Sequence, residues 1–157
     1  MPENSPLTAQ VVFATITGNN EAVADVIIAD LEAAGVQVKK TEISQTEVDE
    51  LAQVDIAIIV PYTYDGGSLP DEGLDFYDDL ADIDLSQVIY GVAGSGDLYY
   101  EDTYCLALDS FDTQIQKSGA KKGADIVRVD LRPEEEDKKH LQVFVDDLIA
   151  AAQATKQ

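Results

Sequence analysis

Val11-Val12-Phe13-Ala14-Thr15-Ile16-Thr17-Gly18-Asn19-Asn20-Glu21 joins a short apolar run to a helical pattern through hydroxyls, a glycine and two amides. An apolar strand that ends in such a turn and becomes a helix opens a β-α unit. The unpaired N–H groups and positive dipole end of that helix converge with the hydroxyls of the turn, which suits an anion such as a phosphate. No Lys or Arg stands in the segment, so the donors are neutral.

Further apolar runs follow at residues 36–42, 54–61, 88–94 and 124–131, which with 11–15 predict five strands. Ile56-Ala57-Ile58-Ile59-Val60 has no polar alternation and fits a strand covered on both faces in a parallel sheet. Helices are expected over 21–34, closed by Gly35, over 103–118, ended by Gly119, and from Pro133 onward, with shorter helical pieces at 46–53 and 71–80. In the last helix Leu141, Phe144, Val145, Leu148, Ile149 and Ala152 form one apolar stripe. This alternation predicts an α/β fold, a doubly wound five-stranded parallel sheet with helices on both faces. The order 2-1-3-4-5 follows because the first and third runs are the most apolar and hence central, while Lys39 and Lys40 mark the second as a charged edge. Ligands then bind at the switch point between strands 1 and 3, where their C-terminal loops meet that of strand 4.

A chain of 157 residues with 45% hydrophobic content is one ordinary domain, expected over residues 8–153 after a disordered lead of residues 1–7. No apolar run approaches the roughly 20 residues of a membrane span, and the first residues lack the pattern of a secretory signal. A single Cys105 and a single His140 exclude an internal disulfide and a Cys/His metal cluster, and a cytoplasmic setting is expected. With 31 Asp and Glu against 10 Lys and Arg, a net charge of −21 opposes binding to nucleic acid or anionic lipid and favours basic protein partners.

The loops that reach the switch point are chemically unusual. The second reads Tyr62-Thr63-Tyr64-Asp65-Gly66-Gly67-Ser68-Leu69-Pro70 and the third Gly94-Ser95-Gly96-Asp97-Leu98-Tyr99-Tyr100-Glu101. Five of the seven tyrosines, Tyr62, Tyr64, Tyr99, Tyr100 and Tyr104, gather in or beside them. The combination of Thr-x-Thr-Gly-Asn after strand 1, an aromatic in an acidic glycine-rich loop after strand 3, and Gly-x-Gly-Asp-x-x-Tyr-Glu after strand 4 resembles the flavodoxin family.

That resemblance implies a flavodoxin-like fold and a monomeric, low-potential one-electron carrier with non-covalently bound FMN. By motif position, the phosphate falls on Thr15, Ile16, Thr17, Gly18, Asn19 and Asn20, where Asn20 replaces the family's usual Thr and an amide can still donate. The flavin ring falls between Tyr64 and Tyr100, with Thr63, Asp65 and Gly66 on one side and Ser95, Gly96 and Asp97 at its pyrimidine edge. The family's commonest residue at the Tyr64 position is Trp, which this chain lacks. Each stacked aromatic pair contributes about 0.5–1.5 kcal/mol beyond area burial. The acids Asp65, Asp71, Asp97 and Glu101 penalise negative charge on a reduced ring; one carboxylate about 6 Å away costs roughly 2.8 kcal/mol at an effective dielectric near 20. Direct passage from the fifth strand into Pro133 resembles the short-chain form of the family.

Receiver domains share the architecture but need acids after strand 1, an aspartate ending strand 3 and a lysine ending strand 5. Here those places hold Thr15-Ile16-Thr17, Pro61-Tyr62 and Asp130-Leu131-Arg132. An FMN-dependent flavodoxin-like oxidoreductase, or an enzyme-activating protein with a dedicated partner, is the alternative of another class. No catalytic triad or acid–base pair supports it, and turnover by the protein alone is the discriminator. A binding module that no longer takes flavin is the third reading.

Overall fold

Gln10 is polar yet 1% exposed, because its side-chain amide donates to Thr41 Oγ1 at 3.2 Å and Glu50 Oε1 at 3.0 Å. This pairing lets the first strand, β1 (Thr8–Phe13), begin at Thr8 rather than at Val11, where the apolar run starts. The computed structural model describes residues 7–13, 19–60, 78–96, 106–130 and 134–156. Its elements are β1, α1 (Asn19–Ala33), β2 (Gln37–Glu42), 3-10 turns at Ile43–Gln45 and Val48–Gln53, β3 (Ile56–Val60), β4 (Ile89–Gly96), α2 (Leu106–Gln116), β5 (Lys121–Lys122), β6 (Val127–Asp130) and α3 (Glu135–Lys156). Leu7 is buried and its carbonyl accepts from the Gln37 N–H at 2.9 Å, so the packed chain already includes Leu7.

The strands pair in the order β2-β1-β3-β4-β5, with β6 also beside β4. Every pairing is parallel, as the 2-1-3-4-5 expectation requires. The fifth position differs in detail from the run expected at 124–131. It opens at Lys121–Lys122 against Ile89 and Tyr90, breaks, and resumes at Val127–Asp130 against Ala93 to Gly96. Both lysines are exposed and join the sheet through backbone alone, so no apolar pattern marks them.

Strict alternation divides the core between two faces. Val11, Phe13, Ile58, Val60, Ile89 and Ala93 pack under α1 and α3, against Val23, Ile27 and Leu31 on one helix and Leu141, Phe144, Val145, Leu148 and Ala152 on the other. Val12, Ala57, Ile59, Tyr90 and Val92 face Leu51, Leu80, Phe111 and Ile115 on the opposite side. Central strands buried on both sides read as unbroken apolar runs for this reason, and each fully buried large side chain contributes about 1.5–3 kcal/mol. Gly91 lets α3 sit close, since a Cβ there would lie 2.7 Å from Phe144 Cζ.

Helix α1 ends on Gly35 at φ +88°. The Val36 N–H reaches the Leu31 carbonyl at 3.0 Å and the Gly35 N–H the Glu32 carbonyl at 3.0 Å, a pairing that closes the helix and needs the left-handed residue between. Gly119, also at φ +88°, follows α2. The stretch expected as a short helix at 46–53 is a 3-10 turn, entered where the Glu47 N–H donates to Glu50 Oε2 at 3.0 Å.

Candidate ligand site at the crossover of the sheet

From β1 the chain goes outward to β2, then crosses back to β3 and continues to β4 on the other side. In doubly wound sheets the ligand crevice lies at the C-terminal ends of the strands whose connections diverge, here β1 and β3. Phe13 pairs with Val60, so these two ends stand level. β4 continues to Gly96, because Gly94, Ser95 and Gly96 pair with Arg128, Val129 and Asp130 on β6.

Two expectations are corrected here. Asn19 and Asn20 are the first residues of α1, which therefore starts before Glu21, and their backbone N–H groups belong to the unpaired first turn. Ser95 and Gly96 close strand β4 instead of opening a loop, because β6 supplies ladder partners that no local pattern announces. Thr15, Ile16, Thr17, Gly18, Thr63, Tyr64, Asp65, Gly66, Asp97 and Tyr100 lie outside the described residues. The points from which all three motif-bearing segments depart, Phe13, Val60 and Gly96, are the C-terminal ends of three adjacent strands. The described part of the site offers backbone amides at a helix start, which fits an anionic group.

Lys40 was expected only to charge an edge. Its Nζ lies 2.7 Å from Glu21 Oε2 and 2.9 Å from Asp25 Oδ1, and 5.1 Å from the centroid of the Phe13 ring. The Glu21 hydrogen bond first, then that of Asp25, raises its pKa. The signal available in the sequence was periodicity: Lys40 shares a strand face with Val38, which packs on the α1 side. Lys39 points the other way and reaches Glu50 at 2.8 Å. Glu50 also accepts from Gln10 and the Glu47 backbone, and Lys39 first among these partners holds its pKa down at about 2.

At the opposite end of β4, the buried Tyr90 hydroxyl donates to Asp112 Oδ1 at 2.8 Å and accepts from Gln116 Nε2 at 3.0 Å. Burial first, then Asp112, pushes this phenol well above its ordinary range. Lys122 stands 3.5 Å from Asp112. The cluster ties α2 to the sheet at the end remote from the crevice. Among the described residues no group of His, Cys, Asp and Glu is placed to hold a metal, and no helix is long and apolar enough to cross a membrane.

Comparison with known proteins agrees with this geometry. The flavodoxin family profile matches residues 11–142. A probable flavodoxin 2 of Bacillus subtilis is 36% identical over 134 residues, 85% of this chain and 88% of that one. A solved short-chain flavodoxin associated with a non-canonical PDU bacterial microcompartment is 48% identical, covers 93% of this chain and 99% of its own, and superposes with a TM-score of 0.91. A Streptococcus pneumoniae TIGR4 flavodoxin is 45% identical over 92% of this chain and 99% of its own, with a TM-score of 0.88. With its profile, its sequence relatives and its sheet order all in agreement, the chain belongs to the flavodoxin family.

Proposed function

We propose that this protein is a low-potential one-electron carrier that holds FMN without a covalent bond and passes electrons between redox proteins. It is an electron-transfer protein and not an enzyme, and family membership together with a 48% identical short-chain flavodoxin supports that reading. The observation that carries it is that β1, β3 and β4 are neighbours in the sheet and end at Phe13, Val60 and Gly96, with α1 starting at Asn19 soon after β1. These are the roots of the segments bearing the family's motifs.

When bound, FMN supplies reversible one-electron chemistry. The chain's part is to grip, orient and tune it. Backbone N–H groups at the start of α1, with Asn19, Asn20, Thr15, Ile16, Thr17 and Gly18, would hold the phosphate. By motif position, Tyr64 and Tyr100 would hold the ring, with Thr63, Asp65, Gly66, Ser95, Gly96 and Asp97 as its further contacts. A charge of −21 steers basic-surfaced reductase and acceptor proteins toward the carrier, and it works in the cytoplasm as a monomer.

The test is titration of flavin-free protein with FMN, followed by fluorescence quenching and calorimetry. Stoichiometric uptake, an absorbance spectrum typical of bound flavin, and no NAD(P)H oxidation by the protein alone are expected. Absence of uptake by a folded sample overturns the carrier reading, and steady turnover without a partner replaces it with the oxidoreductase.

A further inference from the structure

Residues 14–18 leave β1 after Phe13 and lead into α1 at Asn19. One side chain from a third element touches both flanks. Lys40 of β2 stands over the Phe13 ring, 5.1 Å from its centroid, and binds Glu21 and Asp25 in the first two turns of α1 at 2.7 and 2.9 Å. Phe13 is 6% exposed, so the ring is a fixed reference. Lys40 itself is about one-third exposed, which keeps its ammonium held among these groups while water still reaches it.

Charge sharpens the point. Glu21 and Asp25 lie near the end of α1 where a phosphate would arrive, and two carboxylates there oppose a further anion. A single ammonium bridging both cancels half of that repulsion. The backbone dipole then acts on the phosphate less opposed.

We infer that Lys40 is a positioning residue for the phosphate end of the cofactor: it ties the strand before the turn to the helix after it, and it offsets the Glu21 and Asp25 charges without touching the ligand. The inference rests on the FMN reading above and goes beyond it by assigning a role to a residue on a different strand, outside every motif segment.

The experiment compares wild type, Lys40→Met and Lys40→Arg as full chains. FMN and riboflavin, which lacks the phosphate, are titrated at low and high salt, and amide exchange is followed in the flavin-free state at Val23, Ala24, Asp25 and Val26, whose N–H groups close the first turn of α1. Lys40→Met raises the FMN dissociation constant about tenfold at low salt, the scale of losing a small network of partly exposed ion pairs beside an anion site. The riboflavin constant changes less than about twofold, because the ring side is untouched. Lys40→Arg recovers most of the loss, added salt narrows the gap, and the four amides exchange faster in Lys40→Met. An unchanged FMN constant, or equal weakening of FMN and riboflavin, overturns the inference. If wild type takes up no FMN, the carrier reading falls by itself; the exchange data then decide alone, and unaltered protection in Lys40→Met overturns the clamp.

Discussion

Replacing Gly91 with alanine tests how tightly α3 is seated on the sheet. The added methyl would lie 2.7 Å from Phe144 Cζ and 3.0 Å from both Phe144 Cε1 and Leu148 Cδ1. Carbon atoms rest comfortably at about 3.5–4.0 Å, so the helix or the ring must yield by about 1 Å. Phe144 is 2% exposed and Leu148 fully buried, which leaves neither an empty space to enter. Overpacking of such a core costs about 1–3 kcal/mol, and alanine regains about 0.5–1 kcal/mol through lower backbone entropy. A net loss of about 2 kcal/mol places this variant near the upper end of that balance. Urea unfolding of the flavin-free protein reads this as a midpoint about 1 M lower at unchanged slope, for a slope near 2 kcal/mol per M. Shortening the ring should relieve the crowding, so Gly91→Ala with Phe144→Leu loses at least about 1 kcal/mol less than the two single changes summed. A Gly91→Ala loss below about 0.5 kcal/mol, or strict additivity in the double variant, refutes the packing argument.

Two carboxylates predict opposite pH behaviour. Glu50 is lowered from 4.5 to about 2, so its stabilisation is present above its unfolded value and is lost as pH falls from about 4.5 to about 2. After allowance for solvent screening, Glu50→Gln costs about 1 kcal/mol at pH 7 and only a small remainder of that near pH 2, as thermal unfolding across that range would show. Asp30 is raised, by burial first and then by Asp146, and its Oδ2 is buried with no hydrogen-bond partner among the described residues. Its proton is bound more tightly in the folded state, so the wild type gains stability as pH falls through the raised value. Asp30→Asn should therefore stabilise the protein at pH 7 by about 0.5 kcal/mol, or one to two degrees in Tm, with the advantage vanishing in acid. A variant no more stable than wild type at pH 7 contradicts this account.

The order of the sheet was legible because burial on both faces leaves β1, β3 and β4 as dense apolar runs, and the α3 stripe because Leu141, Phe144, Val145, Leu148 and Ala152 recur on one helical face. Polar residues hid the rest. Gln10 belongs to β1 only because Thr41 and Glu50, distant in sequence, satisfy it, and Lys121–Lys122 pairs through backbone alone. The glycine ends Gly35 and Gly119 were readable, since a left-handed residue leaves a strong compositional trace. At the crevice, motif spacing located the strand ends but misjudged Ser95 and Gly96, whose partners come from β6. Lys40 was readable as an edge charge, but its contacts were not, because they are set by the register of β1 with β2, which places it beside Val11.

Helix α3 follows every strand in the chain and supplies Leu141, Phe144, Val145, Leu148 and Ala152 to the face it shares with α1. Until those residues emerge from the ribosome, Ile58, Ile89 and Ala93 have only part of their cover. Maturation of this half of the molecule is thus tied to the synthesis of residues 141–152. A nascent chain stalled before residue 141 would present a sticky apolar slab to chaperones and proteases, and the arrival of α3 covers it.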